Sequence, residues 1–343
     1  MRLLRRIMID QDHRKGKNMI NVGIIGSGFI VPIFIEAVAA VKGYHIRAIS
    51  GRNEKAINDL KERYKIDYCS VNNDDVYSDP KIDAIYVALP NGLHYETGKK
   101  ALMADKHVIM EKPFTVTYAQ AKELIDLAKQ KKKIIFDAVT LLHMPNYQKI
   151  KELLNEVGEI KMINLNFSQY SSRYDRLLKG IILPAFDYKM AGGALMDLGI
   201  YNIDFVVGLF GSPKSVQYFP NMFKKVDTSG VLVMDYGKFK VNSIAAKDCK
   251  APLYVCIQGD KGFIRCDEAS STLKHISFTD NSGKTRTYAL NKHPEVGHYH
   301  EYAVLKKLIN DNDLKKAQEF NKLTLQTIKV LENSLHSGNI YFK

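Results

Sequence analysis

The chain has 343 residues, 45% hydrophobic and 25% charged, a globular composition too long for one simple core and suited to two domains. No apolar run reaches the roughly 18–20 residues of a bilayer span, so the composition argues against a membrane partner. The formal net charge of +13 comes without a nucleic-acid recognition motif, which leaves a small-molecule ligand as the expected partner.

Residues 1–18 hold six Lys/Arg against two Asp, so four of the thirteen excess charges sit there. The segment lacks the apolar core and small-residue cleavage site of a secretory signal. It reads as a basic, disordered extension before a first domain that opens at Met19. From there β-rich runs alternate with amphipathic segments. "MINVGIIG" precedes the helix "FIVPIFIEAVAAVKG", and "HIRAIS" precedes "NEKAINDLKERYK". "DAIYVALP" precedes "YETGKKALMADK", "HVIMEKP" precedes "TYAQAKELIDLAKQKKK", and "IIFDAV" closes the series. Such alternation predicts βαβ units and a doubly wound parallel sheet over 19–138. Beyond Pro145 the texture changes. A helix, "NYQKIKELLNEVG", leads into "IKMINLNFSQYSS" and a run of strand candidates from "SVQYFPNMF" to "TLKHISFTD". Strands separated by turns rather than helices predict a large, mainly antiparallel sheet in an α+β domain over 139–343. Two helices, about His300–Asn310 and Leu314–Leu335, end the chain. The lysine clusters Lys99–Lys100 and Lys131–Lys133 fall at helix ends, where cations complement the dipole. The four cysteines, Cys69, Cys249, Cys256 and Cys266, show no Cys-x-x-Cys pair and no flanking His cluster. They read as reduced packing residues in a cytoplasmic protein with no metal site.

"GIIGSGFI" sets Gly26 and Gly28 between a strand and a helix. The first glycine permits the tight turn and the second lets a pyrophosphate approach the backbone, with Phe29 and Ile30 opening the helix whose N-terminus favours an anion. Val31 stands where the usual fingerprint has a third glycine. At the end of the second strand an NAD site places an acid on the ribose 2′-hydroxyl, but here "AISGRN" offers Ser50 and Arg52. Arg52 suits a 2′-phosphate, so the expected cofactor is NADP in preference to NAD. Two later strand ends complete the crevice: "VALPNGLHYE", with Leu89, Pro90, Asn91 and His94, and "HVIMEKP", with Glu111 and Lys112.

"AGGALMDLGIYNID" is a third unusual stretch. Asp197 and Tyr201 lie four apart on an apolar helical pattern, with Asp204 a turn further on. Polar groups on such a face need partners or a cavity. The Gly-x-Gly turn, "ALPNGLHYE", "HVIMEKP" and "GGALMDLGIYNID", in this order, resemble the glucose–fructose oxidoreductase/inositol dehydrogenase (Gfo/Idh/MocA) family from about Asn21 onward. Tyr rather than His in the last motif resembles the branch that contains dimeric dihydrodiol dehydrogenase. The resemblance implies a Rossmann domain, a second domain with a large sheet, and a homodimer or homotetramer formed through that sheet. It also implies Lys112 as catalytic lysine, Tyr201 as acid/base and Asp197 as active-site carboxylate. The branch's Trp-Thr-Arg run is replaced by Thr140, Leu141 and Leu142, so substrate polarity is expected instead from His143, Tyr170, Arg173 and Tyr174.

These residue types suit hydride transfer between a nicotinamide and a secondary alcohol or carbonyl of a sugar, polyol or related cyclic compound. A phenol is a poor base at neutral pH, and an adjacent ammonium is expected to lower its pKa. Asp197 would keep Lys112 charged or bind a second hydroxyl. The rival readings are a non-catalytic nucleotide-binding regulator or sensor, which has no use for Lys112, Asp197 and Tyr201 together, and an NAD-assisted glycoside hydrolase.

Overall fold

The computed structural model describes residues 19–342 apart from residue 294; the basic segment 1–18 lies outside the described residues. Six strands form one all-parallel sheet: β1 (Ile20–Ile25), β2 (Tyr44–Ser50), β3 (Tyr68–Ser70), β4 (Ala84–Val87), β5 (His107–Met110) and β6 (Ile135–Asp137). Their order, β3-β2-β1-β4-β5-β6, reverses between β1 and β4, which opens a crevice at the strands' C-terminal ends. The strands are apolar on both faces because helices cover both: α1 (Ile30–Val41), α2 (Glu54–Tyr64), α3 (Asn73–Ser78), α4 (His94–Met103) and α5 (Tyr118–Gln130). Short β3 and α3 carry too few residues for a periodic signal and go unmarked in the sequence reading.

After α6 (Pro145–Val157) comes the second sheet, of eight strands. These are β7 (Ile160–Ser168), β8 (Ser215–Phe223), β9 (Val226–Asp235), β10 (Lys240–Ala246), β11 (Tyr254–Gly259), β12 (Gly262–Cys266), β13 (Ile276–Asp280) and β14 (Thr285–Tyr288). The order is β14-β13-β12-β11-β7-β10-β9-β8, antiparallel throughout except for the parallel pair β7–β10. Its inner face packs on the helical stretch between β7 and β8 and on the last helix, α10 (Leu314–Ser337). Its outer face carries Phe219, Val231 and Ile244 in one register row and Met162, Gln258 and Phe263 in another, with Phe219 59% exposed.

The chain does not divide cleanly at residue 138. Helix α9 (Tyr299–Asn310) turns back onto α1, and Tyr302, Leu305, Leu308 and Ala317 join the first core. Tyr188–Phe210 is a 23-residue, mostly helical stretch apolar and long enough by composition to cross a bilayer, broken at residues 191–193. Its most apolar window is 67% buried inside the protein, and it carries Asp197 and Tyr201.

Candidate active site

The glycine turn is built for close approach. Gly26 has φ +125°, and a Cβ there would lie 2.1 Å from the Ala88 carbonyl oxygen, so only glycine fits. A Cβ on Gly28 would meet nothing within 4 Å, leaving open space above the turn. Phe29 caps α1 with no side-chain hydrogen bond, and the backbone N–H groups of Phe29 and Ile30 have no protein acceptor among the described residues. Free N–H groups on a helix N-terminus beside an open glycine suit a dinucleotide pyrophosphate. Val31 is fully buried with Phe34 and Ile35, so the missing third glycine is replaced by core packing rather than by an obstruction.

Other expected cofactor contacts divide. Arg52 is exposed and has no ion-pair partner among the described residues, which leaves its guanidinium available. Ser50 is not: it is wholly buried and donates to Asn73 Oδ1 at 2.7 Å, tying β2 to α3. Leu89 and Pro90 line the strand end; the Leu89 carbonyl lies 2.8 Å from His94 Nε2 and the Pro90 carbonyl accepts from Leu93 N–H. His94 is also fully buried, with Nδ1 2.9 Å from the Pro113 carbonyl. It braces two loops instead of facing the crevice: each ring nitrogen lies against a backbone carbonyl, to one of which the neutral imidazole donates. Asn91 donates to the Ala191 carbonyl at 2.8 Å, a hydrogen bond between the two sheets' loops. Glu111 is buried and accepts from the Tyr86 hydroxyl at 2.6 Å; burial pushes its carboxyl upward against that hydrogen bond.

Lys112 follows β5 and forms a cis peptide with Pro113. Its Nζ lies 2.9 Å from the Asp197 carbonyl, 3.1 Å from Asp197 Oδ1 and 4.5 Å from the centre of the Tyr201 ring. The sequence pattern suggests an ordinary α-helix under these residues, but Leu195–Gly199 is π-helical before α8 (Ile200–Phe210) begins. The Ile200 N–H reaches back five residues to the Leu195 carbonyl. A π turn widens the helix locally and recurs at functional sites; here it carries Asp197, with Tyr201 just beyond its end. The Tyr201 ring also packs on Phe167 at 5.8 Å.

The sequence reading missed Lys247. It sits at the end of β10, 2% exposed, with Nζ 2.7 Å from Asp197 Oδ2 and 2.9 Å from the Ala185 carbonyl. A lysine closing an apolar strand looks like a surface residue in sequence, and only the fold shows that it needs a carboxylate. Asp197 thus lies between two ammonium groups. Burial raises its pKa, but Lys112 and Lys247 outweigh burial and hold the carboxyl well below the usual range. Burial depresses Lys112, yet Tyr201, Asp197 and Glu111 together keep it above its ordinary value and charged. The expectation that Lys112 lowers the Tyr201 pKa is corrected in its net result. Burial pushes the phenol up to about 12, and Lys112 opposes this only in part. At neutral pH Tyr201 is a protonated phenol.

Asp204, a turn beyond Tyr201, faces inward toward Asp137 at the end of β6. Asp137 Oδ1 and Asp204 Oδ2 are buried without hydrogen-bond partners, and burial pushes Asp204 up to about 7.

A cavity of about 220 Å³ opens beside Tyr201, walled by Thr140, Met144, Thr272, Asn291 and His298 among others. His298 is the second residue missed: its Nδ1 is 2.8 Å from Oε1 of the fully buried Glu301. Burial disfavours its charged form, but Glu301 raises its pKa overall. The expected substrate residues lie elsewhere. His143 packs between the Phe136 and Phe320 rings. The Tyr170 hydroxyl bonds Asp175 at 2.6 Å on the surface, and Tyr174 packs on Phe186. Arg173 lies over Phe29. Sequence neighbours of the motifs were credited because no local signal marks a loop distant in the chain.

Comparison with known proteins agrees with this fold. Residues 20–139 match a family model described as an oxidoreductase family with an NAD-binding Rossmann fold, and residues 147–265 match the GFO/IDH/MocA C-terminal domain. The scyllo-inositol 2-dehydrogenase (NADP(+)) IolU of Bacillus subtilis is 27% identical over 94% of this chain and 98% of its own. A trans-1,2-dihydrobenzene-1,2-diol dehydrogenase of Xenopus tropicalis is 27% identical over 71% and 74%. In structure, the 3-ketoreductase KijD10 of Actinomadura kijaniata, solved with NADP, superposes with a TM-score of 0.79 at 19% identity, covering 93% of this chain and 98% of that one.

Proposed function

The chain belongs to the Gfo/Idh/MocA oxidoreductase family, and from that premise we propose that it transfers a hydride between NADP and a secondary alcohol or carbonyl of a sugar, inositol or related cyclic polyol. The observation that carries the reading is the Lys112–Asp197–Tyr201 cluster, with the Lys112 ammonium held 4.5 Å over the Tyr201 ring and Tyr201 itself walling the cavity. The family's dinucleotide fits the glycine turn, since the Phe29 and Ile30 N–H groups are free and Gly28 faces open space. The bound dinucleotide supplies the hydride donor or acceptor.

The chain's own residues handle the proton and the charge. In the reducing direction Tyr201, a neutral phenol, donates its proton to the oxygen that becomes the alcohol. Lys112 stabilises the negative charge developing on that oxygen and on the phenolate left behind. In the oxidising direction the same pair runs in reverse, and the phenolate must first be reached against the burial that holds the proton on. Asp197 fixes the Lys112 amine through two contacts, while Lys247 neutralises the carboxylate so that it does not cancel the Lys112 charge. Arg52, exposed at the end of β2, supports NADP over NAD through a charge-assisted contact to the 2′-phosphate. Similarity to the NADP-linked inositol dehydrogenase IolU supports both cofactor and substrate class. Homo-oligomerisation through the outer sheet face belongs to the same proposal and is supported by exposed Phe219, Met162 and Phe263 on that face.

The test is a panel of inositols, pentoses and their keto forms with NADP+ and NADPH, followed by nicotinamide absorbance. Turnover of a cyclic polyol or sugar supports the reading. Absence of turnover across the panel, with NADPH bound, overturns the substrate class.

A further inference from the structure

Arg173 and Phe29 come from different halves of the chain and meet at the glycine turn. Phe29 is 67% exposed, an unusual place for a phenyl group unless something uses it. Arg173 follows β7 and caps the short helix Tyr174–Leu178. Its guanidinium carbon lies 5.1 Å from the centre of the Phe29 ring. Among the described residues this guanidinium has no carboxylate or carbonyl partner; the nearby Asp175 carboxylate takes the Tyr170 hydroxyl instead. A guanidinium stacked on an aromatic face keeps its N–H edge free, and that edge matches the paired oxygens of a phosphate. The nearest anion site by construction is the α1 N-terminus, where the Phe29 and Ile30 N–H groups are also unpaired. The cavity beside Tyr201 is lined without Arg173, so the substrate role expected from sequence does not fit its position.

We infer that Arg173 is a cofactor-binding residue: seated on Phe29, it closes over the pyrophosphate of the dinucleotide from the second domain. The pyrophosphate would then be held by the helix N–H groups and by the Arg173 guanidinium together. Arg52 holds the other end, at the adenosine ribose. The inference rests on the dinucleotide reading but not on the chemistry assigned to Tyr201.

Its test uses equilibrium binding to the full-length protein, read by NADPH fluorescence and by displacement with two fragments. One, 2′-phospho-ADP-ribose, contains the pyrophosphate; the other, adenosine 2′-monophosphate, lacks it. Arg173→Met is expected to weaken NADPH and 2′-phospho-ADP-ribose about tenfold, the value of one charge-assisted contact, and to leave adenosine 2′-monophosphate unchanged. Arg52→Ser is expected to weaken all three. Phe29→Ala should reduce pyrophosphate affinity less than Arg173→Met, and adding Arg173→Met to it should cost less than Arg173→Met alone, because the two residues form one unit. An unchanged NADPH affinity in a folded Arg173→Met variant overturns the inference alone. Equal weakening of both fragments overturns it too, since that pattern belongs to a loop that has shifted. Failure of the unaltered protein to bind NADPH overturns this inference and the dinucleotide reading together.

Discussion

Replacing Asp204 by Asn probes the buried carboxylate pair behind Tyr201. Asp204 and Asp137 each keep one oxygen without a partner, and burial raises Asp204 from 3.8 to about 7. The folded state therefore holds a proton that the unfolded chain releases. By linkage, the group's contribution to stability is full below pH 4 and is lost as pH rises through about 7. The gap between 3.8 and about 7 corresponds to roughly 4 kcal/mol in total, more than half of which falls between pH 5 and 8. The Asn side chain removes the titration and can donate its amide to the free Asp137 oxygen. Urea unfolding of both proteins at several pH values reads the titration of the pair, because titrating groups outside it cancel in the difference. The Asn variant should gain roughly 2–3 kcal/mol relative to the parent between pH 5 and pH 8. A difference that stays constant across that range would refute the buried-proton reasoning.

Other outcomes follow from the same structure. Lys247→Met leaves Asp197 with Lys112 as its one cation, so its carboxyl titrates higher; the acid limb of the pH–rate profile should move toward neutral pH, with several-fold lower kcat. Arg52→Ser should weaken NADPH about tenfold and leave NADH unchanged, measured by fluorescence titration. Phe219→Lys places a charge in the exposed apolar row of the outer sheet face; light scattering should show a smaller assembly, with the secondary structure retained.

Long periodic elements were legible in the sequence: β1, β2, β4, β5 and β6 and the longer helices between them emerge in the fold where the alternation places them. Short β3, α3 and β14 were not, since three to six residues hold too little pattern to compete with turn signals. The parallel β7–β10 pairing was also hidden, because strand partners are chosen by tertiary packing rather than by local sequence. At the site, Gly26, Gly28, Lys112, Asp197 and Tyr201 stood out because motifs place them at strand ends and on one helix face. Lys247 and His298 did not. Each is a single polar residue whose role depends on what the fold brings beside it: Asp197, fifty residues earlier, for Lys247, and the Tyr201 cavity for His298, whose own partner Glu301 is three residues on. Ser50 and His94 illustrate the converse: a motif position that the fold fills with an internal hydrogen bond. The Tyr201 pKa was misjudged for a related reason, as a neighbouring cation can be read from a motif but burial cannot.

The most direct test of the account is steady-state turnover of Tyr201→Phe beside the parent, on whichever polyol or sugar the panel identifies, with NADPH affinity measured in parallel. The phenyl ring preserves packing on Phe167 and under Lys112 while deleting the proton. We predict kcat reduced by about 10²–10³-fold with NADPH affinity unchanged within about twofold. Parent-like turnover in that variant would contradict the assignment of Tyr201 as the proton donor.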